Sequence, residues 1–116
     1  MVRGMLPSEN RLKKKKDFGQ IFKRGRSFQD NVLSLRLTEK NQKVSRFAFV
    51  VSLKVSKKAF LRNKIRRRLR EIIKANLSKI KTGFDVVFTA RQGLETKNSQ
   101  EVAEIVSGLL KRAKLI

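Results

Sequence analysis

This chain has 116 residues, with 30 Lys and Arg against 9 Asp and Glu and a formal net charge of +21. That is enough chain for one sheet-and-helix core, and a charge that disfavours a lone compact monomer and favours a polyanionic partner. It contains no Cys and no His, which excludes a disulfide framework, a Cys/His zinc site, a thiol nucleophile and an imidazole general base.

The opening Met1-Val2-Arg3-Gly4-Met5-Leu6-Pro7 lacks the apolar core of a signal peptide. No later apolar run approaches the roughly 18 residues that a membrane span needs. A single domain over 1–116 is expected, with 1–9 its least ordered part. Lys13 to Lys16 form a basic cluster. After it, Asp17 reads as an N-cap, Phe18, Ile21 and Phe22 follow at i, i+3, i+4 spacing, and Gly25 reads as the stop of a short first helix.

Val32-Leu33-Ser34-Leu35-Arg36-Leu37-Thr38 alternates as a half-buried strand. After a polar turn, residues 46–54 alternate again. Phe47, Phe49, Val51 and Leu53 share one face; Arg46, Ala48, Val50, Ser52 and Lys54 share the other. The two runs are expected to pair antiparallel. A further strand or a linker leads to a long helix starting near Ala59. On it Leu61, Ile65, Leu69, Ile72, Ile73 and Leu77 fall within about 160° of arc. Asn63, Arg66, Arg67, Arg70 and Lys74 are read as facing the other way, and Arg62 lands inside the apolar arc, so it is expected to reach past the sheet edge. Phe84-Asp85-Val86-Val87-Phe88-Thr89-Ala90 is a more apolar, more central strand. Asn98, with Glu101 three residues on, has the spacing of a capping box for a last helix buried along Val102, Ile105, Val106, Leu109 and Leu110.

Charge is concentrated along this order. Residues 54–81 carry twelve basic side chains against one acidic, Glu71, a net of +11; residues 82–110 carry two against four, a net of −2. Within the long helix, Arg62-Asn63-Lys64-Ile65-Arg66-Arg67-Arg68-Leu69-Arg70 puts six cations and an Asn into nine residues while keeping Ile65 and Leu69 one turn apart. A merely solvated helix interleaves Glu with Lys for i, i+4 pairing; this one does not. It reads as a helix docked by one face that offers guanidinium groups to phosphates from the other. Phe18 and Phe22 have two readings. Spacing alone makes them core residues, whereas an aromatic pair in a basic field suits stacking of single-stranded bases. The polar strand face of Ser34, Arg36, Arg46, Ser52 and Lys54 is either an ordinary wet face or a groove floor for a strand of nucleic acid. No carboxylate cluster of the kind a two-metal nuclease needs is visible, and no Gly-rich phosphate loop. The residues describe a binder without catalytic groups of its own.

Two stretches carry a resemblance. Arg11-Leu12-Lys13-Lys14 leading into Asp17-Phe18-Gly19-Gln20-Ile21-Phe22-Lys23-Arg24-Gly25 is one. Val51-Ser52-Leu53-Lys54-Val55 through Ala59 and on to Arg62-Asn63-Lys64-Ile65-Arg66-Arg67 is the other. Over roughly residues 9 to 114 the chain resembles the protein subunit of bacterial ribonuclease P. The resemblance implies an α/β (α+β) two-layer sandwich with a small mixed sheet and the order α-β-β-(β)-α-β-α. It also implies a left-handed βαβ crossover, an exception to the usual right-handed rule, as in the second domain of a small-subunit ribosomal protein. The partners it implies are a catalytic RNA, which hydrolyses precursor tRNA with Mg2+ and releases the 5′ leader, and the precursor tRNA itself. Carried over by position, Arg62, Asn63, Lys64, Arg66, Arg67 and Arg70 would contact the RNA subunit. Phe18, Phe22 and Lys54, with Arg36 and Ser52 of the polar strand face, would line a cleft for the single-stranded leader. The chain departs from the family pattern at Lys64, which keeps a charge but loses the bidentate fork of arginine, and at Ser34, where members often carry an aromatic. No metal site and no catalytic residue is expected on the protein. A cytoplasmic monomer joined one-to-one with the RNA is the expected assembly. The rivals are a basic ribosomal or other structural RNA-binding protein, against which the paired aromatics and Ser52-Leu53-Lys54 speak, and a protein-only nuclease, against which the missing His and acid cluster speak.

Overall fold

The computed structural model describes residues 6–116. The signal-peptide reading of the opening stretch, and part of the expected disorder over 1–9, fall on residues 1–5, outside the described residues. The rest of 1–9 is folded: Leu6 is buried in the core, and a 3-10 turn at Ser8–Asn10 follows it.

The elements then run α1 (Lys15–Arg24), β1 (Arg26–Gln29), β2 (Leu33–Glu39), β3 (Arg46–Val50), α2 (Ala59–Asn76), β4 (Phe84–Ala90) and α3 (Ser99–Arg112). The expected α-β-β-(β)-α-β-α order is therefore present. Its extra strand, however, is β1, ahead of the first alternating run, and residues 51–58 are the linker. The sheet order is β1-β2-β4-β3. The expected antiparallel pairing of the two alternating runs is wrong: β4 inserts between them, antiparallel to β2 and parallel to β3. The physical reason lies in burial. Val86, Val87 and Phe88 are buried on both faces of the sheet, and only an interior position accommodates such a strand. The parallel β3–β4 pair requires a crossover, and α2 supplies it.

Leu33, Leu35 and Leu37 of β2 and Val86, Phe88 and Ala90 of β4 meet Ile65, Leu69 and Ile73 of α2 and Val102, Val106, Leu109 and Leu110 of α3 in one core. The rings of Phe49 and Phe88 stack with centroids 5.9 Å apart. This sheet-against-helices layer is the expected sandwich, and α1 lies across part of the opposite face. There Leu12 and Ile21 pack on Ala48 and Val87, with Phe18 and Val50 partly buried beside them. Residues 6–12 run beside β3: Leu12 N donates to Phe47 O at 2.9 Å and buried Asn10 Nδ2 donates to Ser45 O at 2.8 Å. They thereby cover backbone that would otherwise be a bare sheet edge.

Three local expectations need correction. The second alternating run is a strand only to Val50. Beyond it Val51 and Val55 are buried, which mimics alternation, but Ser52 Oγ accepts from Lys54 N at 3.3 Å in a turn and Leu53 is 64% exposed rather than in the core. Asp17 is not the N-cap of α1. The helix begins two residues earlier, after Lys14 with no side-chain cap, and Asp17 is buried in its first turn against the sheet. Arg62 does not reach past the sheet edge: its Nη1 donates to Ser56 O at 2.9 Å and ties the 51–58 linker to α2.

Gly25 does end α1, though with an ordinary φ of −72°. A Cβ there would lie 2.3 Å from Ile21 O and 3.0 Å from Leu37 O, so the helix exit passes too close to the backbone for any side chain. At the other end of the chain the capping box forms as its spacing predicts: Glu101 N donates to Asn98 Oδ1 at 2.9 Å and Asn98 N to Glu101 Oε1 at 3.0 Å.

Candidate nucleic-acid interface

The face of the sheet turned toward α1 is built in register rows. One row is Thr38, Asp85 and Arg46; the next is Ser27, Arg36, Val87 and Ala48; the third is Gln29, Ser34, Thr89 and Val50. The first row fixes α1. Arg46 donates twice to Asp85, from Nε to Oδ1 at 2.8 Å and from Nη2 to Oδ2 at 2.7 Å, and the same Nη2 lies 3.3 Å from Asp17 Oδ2. Lys40 Nζ is 3.9 Å from Asp17 and also donates to Gln20 Oε1 of α1, and Gln42 Nε2 donates to Asp85 Oδ1 at 3.0 Å. Asp85 is wholly buried, so this bidentate pair is what makes its charge tolerable there. The Asp85 hydrogen bonds hold the Arg46 pKa above its ordinary value, partly opposed by burial. Arg46, counted in the sequence among the polar strand residues, is thus an internal clamp. In the third row Ser34, Val50 and Thr89 are only half-buried.

The two aromatics of α1 differ. Phe18 is partly buried against Leu12, Ile21 and Ala48, whereas Phe22 is 48% exposed. The Arg36 guanidinium carbon lies 5.7 Å from the centroid of the Phe22 ring, a cation–π pair that presents an aromatic and a cation together. A cleft of about 290 Å³ wraps the outer edge of β3, with Phe18 and Ala48 on the α1 side, Phe49 on the α2 side, and Arg11, Lys13, Arg66 and Arg70 around it. Ser52 and Lys54 are exposed on the linker and do not line this cleft.

The cations of α2 between Arg62 and Arg70 separate into three sets. Arg62 and Arg68 are engaged by the protein's own backbone: Arg62 through Ser56 O, Arg68 by donating from Nη1 to Lys97 O at 3.1 Å. Arg66 and Arg70 turn toward the cleft. Arg66 Nη1 also donates to Asn63 Oδ1, and Arg70 Nε is buried without a hydrogen-bond partner. Asn63, Lys64 and Arg67 form an exposed outer row. Lys64 and Arg67 also line a polar groove of about 370 Å³ shared with Arg68, Glu71 and Ser99. The six residues expected to share one role thus sit in different surroundings. Arg11, Lys13 and Phe49 join the cleft beyond the expected residues; the basic stretch from Arg11 to Lys16 signals the first two, and nothing in the sequence separates Phe49 from an ordinary core residue.

A positively charged outer row, a second cation pair at an aromatic cleft, and a sheet face left partly open define a small α/β RNA-binding protein. The comparisons give the family. The family model described as Ribonuclease P matches residues 6–114, and the chain belongs to that family. It is similar to the ribonuclease P protein component of Pseudanabaena, 36% identical with 97% of each chain covered. It is also similar to that of Pelotomaculum thermopropionicum, 38% identical over 90% of this chain and 92% of the other. Among solved structures, the Staphylococcus aureus RNase P protein superposes with a TM-score of 0.84 at 31% identity, covering 91% of this chain and 96% of that one. The RNase P protein from Thermotoga maritima, in complex with 1-(4-fluorophenyl)-2-thiourea, gives 0.82 at 36% identity, covering 88% and 98%.

Proposed function

We propose that this chain is the protein subunit of ribonuclease P, which works with a catalytic RNA to remove the 5′ leader of precursor tRNA. The observation that carries this reading is the family match over nearly the whole chain. A role as a ribosomal or other structural RNA-binding protein is not favoured by it. The outer row of Asn63, Lys64 and Arg67 docks on the RNA subunit. The cleft of Phe18, Ala48, Phe49, Arg66 and Arg70, continued by Phe22 and Arg36 over the half-open sheet face, receives the single-stranded leader. Lys54 and Ser52, exposed on the linker that follows β3, are assigned a secondary part in leader binding. Bringing the leader against another polyanion is repulsive, and cations placed between them offset that repulsion.

The chain supplies no His and no Cys for proton transfer or nucleophilic attack. Among the described residues no three carboxylates gather as a metal site, and the two buried ones, Asp17 and Asp85, are both held by Arg46. These residues do not fit a resident metal ion, and the Mg2+ of the reaction is assigned to the RNA. The protein binds, orients and neutralises. Among the described residues no helix is long and apolar enough to cross a membrane. A cytoplasmic, one-to-one ribonucleoprotein completes the proposal.

The test is cleavage of precursor tRNA at limiting Mg2+ with RNA subunit alone, protein alone and both. Cleavage is expected to rise sharply only with both present. Cleavage by protein alone, or no gain on adding it to the RNA, overturns the assignment. The combined Phe18→Ala and Phe22→Ala variant is expected to weaken binding of leader-bearing substrate by roughly 5- to 150-fold, the worth of one stacked base, and to spare mature tRNA. Equal loss for both removes the leader from this cleft.

A further inference from the structure

Phe60 is 66% exposed, more than Leu53, Phe22 or Ile116, the other exposed large apolar residues among those described. It lies in the first turn of α2, and the fold gives its ring no packing role. Its position on the helix is specific. Phe60, Asn63, Lys64 and Arg67 stand at i, i+3, i+4 and i+7, the spacing of one helix face, and all four are exposed. The aromatic therefore heads the same outer row as the cations. Lys57 and Lys58, both exposed, precede it in the chain, and the helix's only acid, Glu71, comes eleven residues later. Measured from Phe60, Arg66 and Arg70 of the cleft lie about 120° and 80° away around the helix axis at 100° per residue.

We infer that Phe60 is a stacking platform for one unpaired base of the RNA subunit, with Asn63, Lys64 and Arg67 holding the adjoining backbone; this rests on the function proposed above. Charge complementarity chooses the occupant. A single ring whose companions on that helix face are Asn63, Lys64 and Arg67 is too small to centre a stable protein interface, which buries about 1,200 Å² or more. It does match one nucleotide, whose base offers a π face while neighbouring phosphates meet the cations. Bases within a duplex are already stacked, so the base is unpaired. The leader is served by the cleft about a quarter to a third of a turn around the helix from Phe60, so this base is assigned to the RNA subunit.

The experiment measures binding of the full chain to the RNA subunit for wild type, Phe60→Ala, Phe60→Leu and Phe60→Tyr, each across a range of salt. Phe60→Ala and Phe60→Leu are expected to weaken binding by roughly 5- to 150-fold without changing the salt slope, while Phe60→Tyr stays within about twofold. The preference for leader-bearing over mature substrate is expected not to change. Ala favours helix and Phe60 supports no core, so thermal unfolding of Phe60→Ala is expected at or above the wild-type temperature, and misfolding does not mimic the result. The inference is overturned if Phe60→Ala binds within about twofold of wild type, or if Phe60→Leu retains full affinity, since leucine cannot stack. Loss of self-association in Phe60→Ala with RNA binding intact would assign the ring to a second copy of the chain and equally overturn it. Failure of the wild-type protein to bind the RNA subunit would instead overturn the functional reading, and the partner named here with it.

Discussion

Replacing Arg46 with Met tests how α1 is held to the sheet. Asp85 is wholly buried, and Arg46 supplies two of its three side-chain hydrogen bonds, at 2.7 and 2.8 Å, leaving only Gln42 at 3.0 Å. The substitution strands that carboxylate and at once removes the 3.3 Å partner of Asp17. Removing one partner of a buried pair costs about 3–5 kcal/mol, and the partial exposure of Arg46 argues for the lower end, near 3. At about 4 °C per kcal/mol for a chain of this size, the melting temperature is expected to fall by about 12 °C. Urea unfolding should give the same loss through a lower midpoint at unchanged slope. Asp17→Asn is a milder cut, since it leaves the Arg46–Asp85 pair whole and weakens only the tie to α1. It is expected to cost about 1–2 kcal/mol and to weaken leader-bearing substrate more than the RNA subunit, because the cleft depends on α1 and the outer row of α2 does not. Because the Arg46 pKa is raised, its contribution is complete at every pH below the ordinary arginine range and is lost only as pH climbs past the folded-state value. Raising pH from neutral to moderately alkaline should therefore leave the clamp closed. Stability of Arg46→Met within about 1 kcal/mol of wild type, or equal losses on both RNAs for Asp17→Asn, would refute the clamp.

The three cation sets of α2 predict different salt behaviour. Wild-type affinity for the RNA subunit should fall about 10³- to 10⁵-fold between about 50 and 200 mM salt if roughly six to ten phosphates are met. Arg67→Ala should weaken binding and reduce the log–log slope by about one, whereas Arg68→Ala, which removes a bond to Lys97 O, should lower the melting temperature and leave the slope alone; reversal of the two results would contradict the assignment. Gly25→Ala forces a Cβ to 2.3 Å from the Ile21 carbonyl oxygen, and a loss of about 1–3 kcal/mol in urea titration is expected. Asn98→Ala removes the capping box of α3 and should cost about 0.5–2 kcal/mol, with no effect on either RNA.

The sequence announces its helices more clearly than its sheet. In α2 and α3 an apolar stripe of period 3.6 and, for α3, a local capping box state the answer within a few residues. Strand β1 is Arg-Ser-Phe-Gln at a sheet edge, with one apolar residue in four, so no alternation marks it. Nearness in sequence favours a β2–β3 hairpin, whereas the insertion of β4 between them depends on burial of both its faces. Asp17 has the chemistry of a cap and the position of a clamp; nothing local distinguishes the two, since the difference lies in Arg46 and Asp85, far along the chain. For the site, the residue types of α2 were legible but their division was not. Helical phase separates inward from outward. It does not show that Arg62 and Arg68 find backbone carbonyls of the linker and of the segment before α3.

The angular offset between Arg66 and Arg70 on one side of α2 and Phe60, Lys64 and Arg67 on another has a metrical consequence. With the leader against the first set and the RNA subunit against the second, the gap between two RNA strands is a chord of the helix, somewhat less than its full width of about 10–12 Å. That is also close to the Debye length at about 0.1 M salt, so strands held at that gap would still feel each other without the cations between them. A helix does not compress, and its ends are fixed by two neighbouring strands of the sheet. The gap is accordingly a constant of the fold, and an insertion of one residue in α2 would turn everything beyond it by about 100° and bring the two strands' contacts out of phase.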